Sequence, residues 1–203
     1  MPKKAHWPRR LRYWAYRIRF WLHLVSPVYE KGNWNQHIRV HEAGHAVAGY
    51  LHSDHLKRIY IHRNYLGKNH LQGNTKWVAP RNLKLEYPRG MTWYIPQSVK
   101  RGLFNTAAGE IAEYWFFGRS RYFSGDWIRT LDFMRSYVGN RKVADQCWGD
   151  VRVEAVDWFA KARYMKAVAA LANALKKKSI MSGREAEKII RATGLKPLKS
   201  KAK

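Results

Sequence analysis

Residues 38–50 place Ile38, Val40, Ala43, Ala46, Val47, Gly49 and Tyr50 on more than one face of a helix, with His41, Glu42 and His45 in their midst. A helix apolar on that many sides is built for burial rather than for a surface. Polar groups are costly to bury without a task, so this segment commits the fold to a core that holds three of them. His41 and His45 stand one turn apart on one face, within reach of a single ion. Glu42 lies one residue round the helix, placed to take a proton from a metal-activated water rather than to bind the metal. Zinc lowers the pKa of such a water to about 7, and a carboxylate beside it completes the activation. The competing reading, two ordinary histidines and a surface Glu, leaves the apolar surroundings without a reason.

The rest of the chain reads as mostly helical with one small β-hairpin. Asn33 or Asn35 caps the first helix, which runs to about His52. Leu56 to His62 alternates in polarity and ends near Asn64 and Gly67, and His70 to Val78 is its hairpin partner. Residues 79–97, with Pro80, Pro88, Pro96 and Gly90, read as a loop. A second helix is expected over Gln97–Phe117, stopped at Gly118. A third, capped by Ser124, covers Gly125 to about Val138. A long fourth spans about Asp150 to Lys177. Ser182 opens a short fifth that ends before Gly194, with Glu185 completing a capping box. Three regions follow: a basic aromatic arm over 1–33, a domain over 34–194 and a basic tail over 195–203, whose lysines read as solvated.

The metal needs a third ligand. One known continuation has Gly three and His six residues after the second His; those positions here are Ala48 and Leu51. His52 is off register by one, and His55 lies too far along to be fixed by the same helix. His37 faces the same way as His41 but one turn upstream. Downstream acids complete the candidates: Glu110, Glu113, Asp126 and Asp132. The single cysteine, Cys147, excludes an intrachain disulfide and a thiolate cluster, so any metal must rest on imidazoles and carboxylates.

Charge bears on partners rather than fold. Thirty-nine Lys and Arg against 14 Asp and Glu give +25 among 203 residues, an excess that favours polyanions. In residues 1–30, Arg9, Arg10, Arg12, Arg17 and Arg19 are interleaved with Trp7, Tyr13, Trp14, Tyr16, Phe20 and Trp21. Three uses fit that pattern: a helix lying in an anionic membrane interface, a nucleic-acid contact, or an arm packed on the domain. Trp14–Tyr29 is interrupted by Arg17, Arg19 and His23 and falls short of the roughly 20 apolar residues of a span. It also lacks the pattern of a secretory signal. The expected location is cytoplasmic, with peripheral membrane contact through the arm as an option.

These residues resemble the protease domain of the FtsH family, the membrane-bound ATP-dependent zinc proteases. The likeness runs from His-Glu-Ala-Gly-His-Ala-Val at 41–47 through the strand at 57–61. It continues in Gly109-Glu-Ile-Ala-Glu-Tyr-Trp-Phe-Phe-Gly118, Ser124-Gly125-Asp126 and the closing helices from Ala169 to Glu185, and spans about 36–192. It implies a helical zinc-metallopeptidase domain with a small hairpin, acting as a metalloendopeptidase. It implies His41 and His45 as zinc ligands, Glu42 as the catalytic base and Asp126, in the first turn of its helix, as the third ligand. Glu113 matches a family acid and would support the site from behind by orienting a His. Glu110 stands where the family often has Arg and reads as a solvated helix charge.

The departures are as informative. No Gly-rich phosphate loop ending in Lys-Ser or Lys-Thr occurs, so ATP hydrolysis by that route is not expected. The family's transmembrane anchor has no counterpart, and the segment Arg119–Ser124 is shorter and lacks the family's Thr-Thr-Gly. The substrate would then be an unfolded protein or peptide, or one delivered by a separate ATPase or adaptor. The family's protease domains assemble as six-membered rings, partly through the ATPase module, so the resemblance leaves a homo-oligomer as one option. The alternative is a non-enzymatic scaffold of protease-like fold that binds nucleic acid or acidic partners through its basic surface.

Overall fold

A computed structural model describes residues 34–52, 55–63, 71–77, 97–118, 125–138 and 140–198. The readings placed on the arm, the 79–96 loop, Arg119–Ser124 and the last residues of the tail lie outside the described residues. The fold is mainly helical with one three-stranded antiparallel sheet. In chain order it runs α1 (Trp34–Leu51), β1 (Leu56–Arg63), β2 (Leu71–Trp77), α2 (Gln97–Phe117) and α3 (Gly125–Val138). It closes with α4 (Arg141–Phe159), α5 (Ala162–Lys177), β3 (Ile180–Ser182) and α6 (Gly183–Ala192). No helix among the described residues is long and apolar enough to cross a membrane.

Helix α1 occupies the centre, as its apolar girth requires. Ile38, Ala43, Ala46, Val47, Ala48 and Leu51 are buried, and so are His37, His41, Glu42 and His45. It packs on α2, α5 and the hairpin. Its approach to α2 is close because Gly44 has no side chain: a Cβ there would lie 2.6 Å from the Ala108 carbonyl oxygen and 2.7 Å from the Ala112 Cβ. Helix α2 keeps the predicted bounds and stops at Gly118, whose φ of 67° is the left-handed turn that glycine adopts without strain.

The sheet has the order β2-β1-β3. Ile59 and Ile61 of β1 point into the core while Arg58 and His62 face out. Strand β3 was not expected from the sequence. Its three residues pair Arg58, Ile59 and Tyr60 of β1 with Ser182, Met181 and Ile180, a contact no local pattern announces.

The long fourth helix is corrected to two. Helix α4 begins at Arg141, where Asn140 caps it by accepting the Val143 N–H at 3.2 Å, and it ends at Phe159. Lys161 then takes an extended conformation (φ −86°, ψ 123°) before α5 starts. No glycine or proline marks this break, so periodicity alone runs straight through it. The tail is also anchored at its start. Leu195 is buried, its carbonyl accepts from the Tyr50 hydroxyl, and Leu198 N–H donates to Leu51 O.

Helix α6 starts as expected. Ser182 Oγ accepts from Glu185 N–H, and the Glu185 carboxylate accepts from Ser182 N–H at 2.8 Å. Ser182→Ala is expected to lower stability by about 1 kcal/mol in urea denaturation. Hydrogen bonds from Lys178 and then Ser182 pull the Glu185 carboxyl down to about 2. A depressed acid contributes stability above its unfolded pKa and loses it as pH falls through the folded one. The penalty of Ser182→Ala should therefore shrink between about pH 4.5 and 2.

Candidate metal centre

Two helices deliver three donors to one point. His41 and His45 come from α1, one turn apart, and Asp126 comes from the first turn of α3. The two Nε2 atoms are 2.9 Å apart, and Asp126 Oδ2 lies 3.2 Å from His41 Nε2 and 3.1 Å from His45 Nε2. Among the described residues these three form a group able to hold a metal ion.

The protonation of the imidazoles is set from behind. His45 Nδ1–H donates to the carbonyl oxygen of Asn105 at 2.6 Å, and a carbonyl can only accept. His41 Nδ1–H donates to the carboxylate of Glu113, also at 2.6 Å. Both Nε2 lone pairs therefore face each other and the Asp126 oxygen, three acceptors with no donor between them. Positive charge between them, a metal ion or a proton on His41 Nε2, reconciles that arrangement. Zinc with bonds of about 2.0–2.1 Å in a tetrahedron separates its ligand atoms by about 3.3 Å, and the observed triangle is close to that size. The donor set fits the ion.

The local field agrees. Burial disfavours a charged His41, yet hydrogen bonds to Asp126 and Glu113, with the charges of Glu113 and Glu42, outweigh it and push the imidazole up to about 10. Hydrogen bonds to His41 and His45 hold the half-exposed Asp126 carboxyl far below the usual range, against its partial burial. A place that binds a proton this well is a place where positive charge is stabilised.

Glu42 is buried and directed by the hairpin. Thr75 Oγ1–H donates to Glu42 Oε2 at 2.6 Å, within reach also of the Glu42 carbonyl at 3.2 Å. Gly73 makes the room, since a Cβ there would fall 2.3 Å from Glu42 Cγ. On the opposite side Gly109 of α2 does the same for the ligands. A Cβ at Gly109 would lie 2.6 Å from His45 Nε2 and 2.9 Å from His41 Cδ2. A cavity of about 340 Å³ opens over the group, bounded by Gly73, Asn74 and Thr75 on the strand side and by Gly102, Asn105 and Thr106 on the α2 side.

The structure thus brings His41, Glu42, His45 and Asp126 together, with Glu113 directly behind His41. It separates the other candidates. Asp132 is exposed and lies 3.8 Å from Arg135. His52 packs against Phe104 and Trp158, and His55 is exposed. His37 is buried with Nδ1 on Glu113, away from the ligand triangle.

The reading of Glu110 as a solvated charge is corrected. It is buried and pairs with Arg152 of α4 at 2.5 Å. Burial raises its carboxyl and Arg152 opposes that shift. Helix α2 is covered by α4 as well as α1, so this side of it is not a solvent face. Thr75, Gly73 and Asn105 escaped the sequence reading. Asn74-Thr75 within a hairpin strand carries no sign that it meets a Glu from an earlier helix. Gly109 was legible only through the family likeness. No protein-family model matches this sequence, and no curated protein matches it.

Proposed function

We propose that this chain is a zinc-dependent metalloendopeptidase of FtsH-like design that hydrolyses peptide bonds in unfolded proteins or peptides. The observation that carries the reading is the convergence of His41 Nε2, His45 Nε2 and Asp126 Oδ2 beside a buried Glu42, under an open cavity. Two imidazoles and one carboxylate are a donor set that zinc favours. His41, His45 and Asp126 would hold zinc, which would supply Lewis-acid chemistry that polarises a carbonyl and acidifies water. Glu42 then accepts the proton of the attacking water and passes it to the leaving amine. Thr75 engages one carboxylate oxygen of Glu42 and fixes the orientation of the other. Glu113 and the Asn105 carbonyl keep both imidazoles in the tautomer that offers Nε2.

A separate ATPase or adaptor would present folded substrates, since no phosphate loop occurs in this sequence. The charge of +25 favours one second reading, a scaffold that binds nucleic acid or acidic partners through its basic surface. The two readings part on one experiment: metal analysis of the purified chain together with cleavage of casein. One zinc per chain, with cleavage abolished by chelation and restored by zinc, is the expected result. Zinc-free protein with salt-sensitive DNA binding and no cleavage would establish the scaffold instead.

A further inference from the structure

Glu113 holds more than the ligand in front of it. Its carboxylate is fully buried and each oxygen has its own imidazole. Oε1 accepts from His41 Nδ1–H at 2.6 Å, and Oε2 accepts from His37 Nδ1–H at 2.9 Å. His37 and His41 are one turn apart on α1, so one carboxylate of α2 is gripped by two successive turns of the facing helix. Phe117, one turn after Glu113, stacks on the His37 ring with centroids 4.0 Å apart and planes at 29°. The result is a block of two i, i+4 pairs, His37/His41 against Glu113/Phe117.

His37 is not there for packing alone. It is fully buried and its Nε2 has no hydrogen-bond partner among the described residues. A buried ring nitrogen without a partner is unfavourable, a loss that Phe or Leu at this position would avoid. What those residues lack is the Nδ1–H. Nor is His37 a ligand, because its Nδ1 is engaged by Glu113 and it stands outside the donor triangle.

We propose that His37 is a positioning residue for the metal centre. By fixing Oε2 it sets the torsion of the Glu113 carboxylate. That places Oε1 on His41 Nδ1–H, and the angle at which His41 presents Nε2 follows. Contacts of this kind behind a ligand are typically worth about 10–100-fold in metal affinity. The inference rests on the metal reading above but not on peptide hydrolysis.

The test is zinc titration of the full chain against a chromophoric chelator. His37→Phe keeps the stack on Phe117 and removes the donor; its zinc affinity is expected to fall about 10–100-fold. His37→Asn returns an N–H near the Nδ1 position and is expected to recover most of the loss. In a Glu113→Gln background, His37→Phe is expected to change zinc affinity much less, because the two substitutions remove one shared contact. Nitrogen-15 spectra of the zinc-loaded wild type supply a readout independent of any variant's folding, and both His37 and His41 should carry their proton on Nδ1. An Nε2–H tautomer at His37, or unchanged affinity in a folded H37F, overturns the proposal and leaves the metal site standing. A wild-type chain that binds no zinc overturns both.

Discussion

Glu42→Gln is expected to leave one zinc bound per chain and to lower cleavage of an unfolded substrate by about 10²–10⁴-fold, the usual contribution of a general base. The substitution is nearly isosteric. Its amide oxygen still accepts from Thr75 Oγ1–H, and Gly73 still leaves space beside it. Glu42 is not one of the three converging donors, so the metal has no reason to leave with the charge. Metal content and turnover measured on the same preparation check the expectation. Loss of zinc in parallel with activity would mean that Glu42 holds the metal rather than the proton, and the assigned role would fall.

The second large effect is at Asp126. Asp126→Ala removes one of three donors and the only anionic one, and zinc affinity is expected to drop by more than the roughly 100-fold upper range of contacts behind a ligand. Asp126→Asn, which keeps a neutral oxygen, should lie between. The side chain is 47% exposed, so the fold itself should tolerate both changes, and circular dichroism in the presence of chelator checks that. Competition titration gives the affinity. An Asp126→Ala chain with wild-type affinity would remove this residue from the ligand set.

The parts of the fold legible in the sequence are those whose cause is local. The glycine turn at Gly118, the capping box at Ser182 and the apolar girth of α1 each state their own structure. What escaped depends on partners far along the chain. Strand β3 exists because β1 offers it an edge, and the break between α4 and α5 carries no breaker residue. Glu110 reads as a surface charge until α4 is laid over α2 with Arg152 facing it. The candidate site divides the same way. His41, Glu42 and His45 declare themselves by spacing within one helix. Asp126, 81 residues beyond His45, was one of four downstream acids that only the family likeness told apart, and Thr75 was reachable by nothing local. A hydrogen bond across 33 residues leaves no trace in either segment.

The hairpin that carries Thr75 gives the centre a divided construction. All three donors, together with Glu113 and the Asn105 carbonyl, come from α1, α2 and α3. The base alone leans on β2. Side chains alternate along a strand, so Gly73 and Thr75 meet Glu42 only in the observed pairing of Ile61 with Gly73 and Ile59 with Thr75. A slip of one residue would turn Asn74 or Lys76 toward the carboxylate instead. On the proposed function, loading with metal and competence for hydrolysis answer to different parts of the molecule. Displacing the hairpin would disarm the base while the ion stayed bound, so a zinc-replete preparation is not by that fact an active one.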